Sequence, residues 1–248
     1  MSENCCLDTI KINKGTVKMV AHRGASGLER ENTMPAFVAA GNRSYFGVET
    51  DIHRTADGKY VVIHDETTSR VSRGAVNIHV EENPYEAVKD LVLPDKDGTT
   101  LRQDIRIPLL SEYIHICKKY GKTCVLELKN GFDRQEIKEI VAIIREMGYL
   151  DHVIFISFVL ENCLILRELL PQQPVQWLTE KELTDDQKAV LVEQRLGLDI
   201  YYPRLNRQLV EELHAAGLEV NCWTVDDPRS AEELVAMGVD YITSNILE

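Results

Sequence analysis

Residues 47–65 read GVETDIHRTADGKYVVIHD, and the order of polar and apolar side chains in this run sets the reading of the whole chain. In an extended strand, side chains two apart point to the same side. Glu49 and Asp51 therefore share one side of a strand over Gly47–Ile52, while Val48, Thr50 and Ile52 take the other. Asp57-Gly58 is a hairpin turn signal, and Tyr60–His64 is a second extended run behind it. A strand that buries apolar residues on one side and carries two carboxylates on the other belongs at the rim of a site.

The flanking sequence repeats the strand half of this pattern. Lys18–His22, Thr123–Leu128, His152–Ser157, Val175–Leu178, Leu198–Tyr201, Glu219–Val225 and Asp240–Thr243 are further predicted strands. Between them run amphipathic stretches at helical spacing: Thr33–Gly41, Leu110–Tyr120, Arg134–Met147, Leu160–Leu170, Asp185–Glu193, Arg207–Ala216 and Pro228–Met237. Several stop at a glycine: Gly121, Gly148, Gly217 and Gly238. Strands alternating with helices imply parallel pairing with crossover helices. Eight such strands predict an α/β fold closed as a (β/α)₈ TIM barrel, and the 248 residues suit one domain of that kind. Only about residues 66–107 break the rhythm. Pro84, Pro94, Asp97-Gly98 and scattered charges predict a small inserted subdomain over the barrel mouth after the second strand.

Composition narrows the function. A formal net charge of −12 repels nucleic acid and anionic lipid surfaces, so no nucleic-acid partner and no stable membrane insertion are expected. No stretch reaches the roughly 18 apolar residues of a membrane span, and Met1 to Lys18 lacks a secretion signal. The cysteines Cys5, Cys6, Cys117, Cys124, Cys163 and Cys222 fit neither a paired CxxC pattern nor a disulfide framework. Reduced thiols and a cytoplasmic location are the expectation. Cys5-Cys6 reads as a frayed terminal pair rather than a soft-metal site.

Candidate chemistry gathers at the predicted strand ends. Glu127 and Lys129 share one side of their strand as Glu49 and Asp51 do. An isolated pair of this kind is ordinarily a solvated strand residue pair. Two pairs on two parallel strands of one barrel face the mouth, where barrel active sites lie. Three carboxylates converging there repel unless a cation sits among them, and oxygen donors suit a hard divalent ion, Mg²⁺ or Ca²⁺. His22 and His64 each end a strand and are suited to proton transfer near neutral pH. His53, His79, His115, His152 and His214 receive a structural reading. Arg23 offers a planar fork to phosphate oxygens. Asn32 or Thr33 is placed to cap the helix near Met34-Pro35, with a supporting hydrogen bond from this segment to His22 or Glu49 as the alternative. Trp223 is a possible pocket wall for a glycerol-like group; core packing is the rival reading.

His22-Arg23-Gly24, Glu31-Asn32-Thr33, Glu49-Thr50-Asp51, Thr55-Ala56-Asp57-Gly58 and Val61-Val62-Ile63-His64-Asp65 occur in order, followed by Glu127-Leu128-Lys129, Ser157-Phe158, Trp223-Thr224-Val225 and Ile242-Thr243-Ser244-Asn245. This ordered set resembles the glycerophosphodiester phosphodiesterase family over nearly the whole chain. The resemblance implies a barrel with an insertion after the second strand and a divalent metal held by Glu49, Asp51 and Glu127. It also implies His22 and His64 as the acid–base pair, Arg23 and Lys129 on phosphate, and a small glycerophosphodiester as substrate. Arg30 stands where a proline is common, and Ser244-Asn245 replaces a frequent acidic ending. Two rivals remain at this stage: a lysophospholipase-D-like phosphodiesterase, and a catalytically silent barrel that binds phosphate ligands. A glycosidase is a poor reading, because two histidines and two phosphate-suited cations have no place in it. The headgroup, the metal, the attacking oxygen, the order of the two histidines and the oligomeric state are left open by the sequence.

Overall fold

The computed structural model describes residues 8–248; Cys5 and Cys6 lie outside the described residues. The chain runs β1 (Lys18–Ala21), α1 (Met34–Gly41), β2 (Gly47–Arg54), β3 (Tyr60–Val62), α2 (Leu110–Tyr120), β4 (Thr123–Leu128), α3 (Arg134–Glu146) and β5 (Val153–Ser157). It continues through α4 (Leu160–Leu169), β6 (Val175–Thr179), α5 (Asp185–Gln194), β7 (Gly197–Tyr201), α6 (Arg207–Ala215), β8 (Val220–Trp223), α7 (Pro228–Met237) and β9 (Tyr241–Ser244).

All strands except β3 pair in parallel, and β1 pairs with both β2 and β9, which closes an eight-stranded barrel. This is the TIM barrel that strand counting predicts. The register Asp51↔Glu127 between β2 and β4 sets the carboxylates of two strands side by side. β3 lies outside the ring, antiparallel on β2. Tyr60–Val62 is shorter than the run drawn from sequence, so His64 sits just beyond the strand.

The local rules behave as the side-chain chemistry requires. Asp133 caps α3 by accepting hydrogen bonds from the backbone N–H groups of Gln135 and Glu136, and the Glu136 side chain returns a bond to the Asp133 N–H. Gly121 ends α2 at φ 63°, a conformation that costs other residues a Cβ clash. The main core lies between strands and helices and includes Val48, Ile52, Leu126, Leu128, Phe155, Ile114 and Ile140. A smaller cluster fills the barrel interior: Val20, Val125, Ile154, Ile156, Leu178 and Tyr241. Above it the interior turns polar, with Gln176, Asp199, Asn221 and Thr243 all buried.

Residues 66–107 hold one turn of 3₁₀ helix at Tyr85–Ala87 and two isolated bridges, Thr67↔His79 and Pro94↔Leu101. They form a separate hydrophobic cluster, Val71, Val80, Val88, Leu93, Ile105 and Ile107, packed on Val61 and Ile63 of the hairpin. Among the described residues, no helix is long and apolar enough to cross a membrane. Cys117, Cys124, Cys163 and Cys222 are free and buried.

Candidate active site

The site is built on two neighbouring strands. Glu49 and Asp51 come from β2 and Glu127 from β4; all three are buried, and one carboxylate oxygen from each lies within 4.8 Å of the others. Removing three carboxylates from water at this spacing is unfavourable without positive charge. Burial and the Asp51 charge push Glu49 well above the usual carboxylate range and Glu127 to about 8. Asp51 is pushed up by burial too, but Arg23, then Lys129, outweigh that and hold it well below the ordinary value.

The two cations come from different chain segments. The Arg23 Nε lies 3.4 Å from Asp51 Oδ2, and its backbone N–H donates to Glu49 Oε2 at 2.8 Å. Lys129 Nζ is 2.8 Å from Glu127 Oε1 and 3.4 Å from Asp51 Oδ1. Those two oxygens are buried and accept no well-directed hydrogen bond. Converging carboxylate oxygens with unused lone pairs are the donor set a hard divalent ion takes, so the residues present fit such an ion.

His22 and His64 stand at the same mouth with different partners. The Nδ1 of His22 is 2.8 Å from Asn245 Oδ1, and its Nε2 lies 4.0 Å from Glu49 Oε2. Asn245 is itself fixed: Ser26 Oγ donates to its Oδ1, and its amide donates to Asp226. Burial, with Arg23 acting the same way, lowers the His22 ring to about 4. The Nδ1 of His64 is 2.6 Å from Asp65 Oδ1. Burial lowers His64 as well, with Arg23 and Lys129 acting the same way, while the Asp51 charge and the hydrogen bond to Asp65 oppose the fall. Both rings thus spend Nδ1 on the protein and leave Nε2 for other contacts.

Asn32 has a different role from the cap assigned to its segment. Thr33 is the N-cap of α1, whereas Asn32, at φ 55°, donates to Asp51 Oδ2 at 2.7 Å and accepts from Thr50 Oγ1 at 2.8 Å. The support goes to Asp51 and not to His22 or Glu49. Arg23 also has positive φ, 54°, which turns its backbone N–H toward Glu49. Gly24 follows at φ 78°, where a Cβ would come within 2.7 Å of the Ala36 backbone.

Sequence reasoning missed several neighbours. Glu31 ties Arg23 to Arg70, and Arg70 also grips Asp65, so an ion-pair chain runs from Arg23 to the carboxylate that holds His64. Arg70 lies inside the irregular segment, where no periodicity marks it. His53 is almost wholly buried; its ring nitrogens face Glu81 Oε1 at 2.9 Å and the His64 carbonyl at 3.1 Å. Asn245 enters the sequence reading within the Ile242-Thr243-Ser244-Asn245 block and as a departure from an acidic ending, with no role assigned to it. Phe158, Glu180 and Asp199 line the same cavity as His22, Lys129 and Trp223. The rule of two finds all three: Phe158 follows Ile156, Glu180 follows Leu178, and Asp199 precedes Tyr201 on an inward-facing side.

A closed parallel barrel whose mouth combines buried acidic oxygens, two histidines and two phosphate-suited cations defines a class, the barrel hydrolases that work on phosphoric esters. A model of the glycerophosphoryl diester phosphodiesterase family matches residues 22–247, so the chain belongs to that family. It is 30% identical over 230 residues to a glycerophosphodiester phosphodiesterase of Caldanaerobacter subterraneus, covering 92% of this chain and 93% of the relative. A glycerophosphodiester phosphodiesterase structure from Parabacteroides distasonis superposes with a TM-score of 0.77 at 29% identity, covering 93% of each chain. A phosphodiesterase of Oleispira antarctica, solved with its product sn-glycerol-3-phosphate, shares the fold at TM-score 0.82, 24% identity and 96% coverage of both chains.

Proposed function

We propose that this protein is a metal-dependent phosphodiesterase that cleaves small glycerophosphodiesters to glycerol 3-phosphate and an alcohol. The observation that carries the reading is one cavity lined by two histidines, each with Nε2 free of a hydrogen bond, and by Glu49 and Glu127 of the cluster that Asp51 completes. Family membership supports it, as does the glycerol 3-phosphate bound by the Oleispira structure of the same fold.

Glu49, Asp51 and Glu127 hold the ion in this reading, and the oxygen donors favour Mg²⁺ or Ca²⁺. When bound, such an ion supplies Lewis-acid charge to a phosphoryl oxygen. Arg23 and Lys129 would neutralise the phosphate as a planar fork and a point charge. The partners of the histidines support one order for their roles. His22 is held through a neutral amide and lowered to about 4, so it is unprotonated at pH 7 and acts as base through Nε2. His64 rests its Nδ1 on the Asp65 carboxylate, which opposes the lowering by burial, Arg23 and Lys129, and in this reading it protonates the departing alcohol. Each proton transfer contributes roughly two to four orders of magnitude in rate. A cytoplasmic location goes with reduced thiols at Cys117, Cys124, Cys163 and Cys222.

The test is turnover of glycerophosphocholine by protein stripped with a chelator and then restored ion by ion, alongside His22→Ala and His64→Ala proteins. Loss on stripping, recovery with Mg²⁺ or Ca²⁺, and a fall of at least about a hundredfold in each variant are expected. Full activity of the stripped protein, or near wild-type turnover in both variants, would discard the reading.

A further inference from the structure

The cavity that holds the histidines carries an apolar stretch of wall beside its charged groups. Its volume is about 230 Å³, and its lining also includes Ile156, Phe158, Leu178, Trp223, Asp199 and Glu180. Phe158 and Trp223 meet edge to face with centroids 5.6 Å apart, and Tyr201 packs on Trp223 at 5.7 Å. Phe158 and Tyr201 are each 39% exposed and Trp223 is half-buried, so all three rings in this cluster still present surface to solvent. The cluster is held in place: the Trp177 indole donates to the Phe158 carbonyl at 3.2 Å. Phe158 already carries one cation, Lys129, 5.9 Å from its ring centroid. The indole N–H of Trp223 is buried without a hydrogen-bond partner.

Glu180 completes the arrangement. It lines the cavity from the loop after β6 and forms no hydrogen bond or ion pair with the described residues. An unpaired carboxylate beside exposed aromatic faces, in a cavity that also carries Arg23 and Lys129, offers a zwitterion a partner for each of its charges. The phosphate of such a substrate meets Arg23 and Lys129, while a positive group on the departing alcohol meets the ring faces and Glu180. An anionic alcohol placed there meets Glu180 as a like charge.

We infer that Phe158, Trp223 and Glu180, with Tyr201 packed on Trp223, form a leaving-group subsite that selects glycerophosphodiesters with an ammonium-bearing alcohol over those with a neutral or anionic one. This rests on the phosphodiesterase reading above and names the substrate class of the same site. Quaternary ammonium groups favour aromatic faces over water strongly enough for a preference of about tenfold in kcat/KM.

Two measurements separate failure of the subsite from failure of the activity. First, kcat/KM is compared for glycerophosphocholine and glycerophosphoglycerol with wild-type, Glu180→Gln and Phe158→Leu proteins. A wild-type ratio of about ten, reduced several-fold in each variant, is expected. Second, tryptophan fluorescence is titrated with tetramethylammonium, which needs no turnover; saturable quenching in wild type that weakens in Glu180→Gln is expected. Equal turnover of both diesters together with no tetramethylammonium binding overturns the subsite and leaves the phosphodiesterase standing. Saturable binding with neither diester cleaved upholds the cation subsite and overturns the activity. Because Glu180 is exposed and Phe158 is partly so, both variants are expected to fold, and their circular dichroism and melting temperatures check it.

Discussion

At the scale of single residues, Asn32 shows how support for a site hides inside a capping sequence. Its side chain braces Asp51, and its backbone sits at φ 55°. Asn32→Gly keeps that backbone conformation accessible and removes only the brace. The expected result is a loss of about 10–100-fold in divalent-ion affinity, read by calorimetry, with a small change in melting temperature. Unaltered ion binding would show the brace to be idle. Arg70 gives a second prediction, in stability against pH. Burial raises Glu31, but Arg70, then Arg23, bring it down to about 2; Asp65, less buried, is brought to about 2 by Arg70 and His64. Carboxylates depressed on folding contribute stability above their unfolded values near pH 4 and lose it as pH falls toward 2. Wild type is therefore expected to exceed Arg70→Gln by about 1–2 kcal/mol at pH 7, most of it from Glu31 because Asp65 is more screened by solvent. Urea unfolding from pH 7 down to pH 2.5 checks it: the gap between the two proteins narrows below pH 4. A gap independent of pH would assign the Arg70 effect to packing.

Among the elements, the hairpin of β2 and β3 is the part that carries the second histidine to the first. The backbone N–H of Ile63 donates to the Asp51 carbonyl, which sets His64 beside the carboxylates. His53 on β2 then grips the His64 carbonyl and Glu81, and Asn130, next to Lys129, donates to Glu81 at 2.6 Å. His53 is a positioning residue in this arrangement, joining β2, the segment after β3 and the end of β4. His53→Leu is expected to lower kcat by about tenfold or more with ion affinity retained, because the bound geometry loosens at His64 alone. Glu81→Gln, which keeps a side-chain oxygen for Asn130, is expected to fall less. Equal kcat in wild type and His53→Leu would reduce this ring to packing. Strands and helices were legible in sequence to within a residue or two, since alternation and helical spacing are local properties. The role of His53 was not, because its partners Glu81 and His64 lie outside its own strand and alternation says nothing of them.

For the molecule as a whole, the barrel and residues 66–107 are packed differently. The barrel has a continuous core between strands and helices, whereas the insertion rests on its own small cluster of eight buried residues, two of them from the hairpin. We propose that 66–107 behaves as a subdomain able to open while the barrel stays closed. Ile105→Ala, which removes a wholly buried side chain from that cluster, is expected to cost about 2–4 kcal/mol locally. Hydrogen exchange read by mass spectrometry is expected to accelerate over 66–107 and to leave β4–β8 unchanged. Turnover is expected to drop as well, since Arg70, which holds Asp65 behind His64, rides on this segment. Uniform acceleration across the chain would show one cooperative unit.

The amino-acid order by itself determined which side chains face inward and where helices begin and end, because strand alternation, helical spacing and capping act within a few residues. It placed Glu49 with Asp51, Glu127 with Lys129, and both histidines at strand ends. Tertiary structure alone decided the contacts through which these groups meet. The β2–β4 register brings Asp51 opposite Glu127, closure of β1 on β9 delivers Asn245 to His22, and the insertion folds Arg70 back onto Glu31 and Asp65. Each of these contacts joins residues from separate segments, so each depends on packing free energy summed over the barrel and not on any local preference.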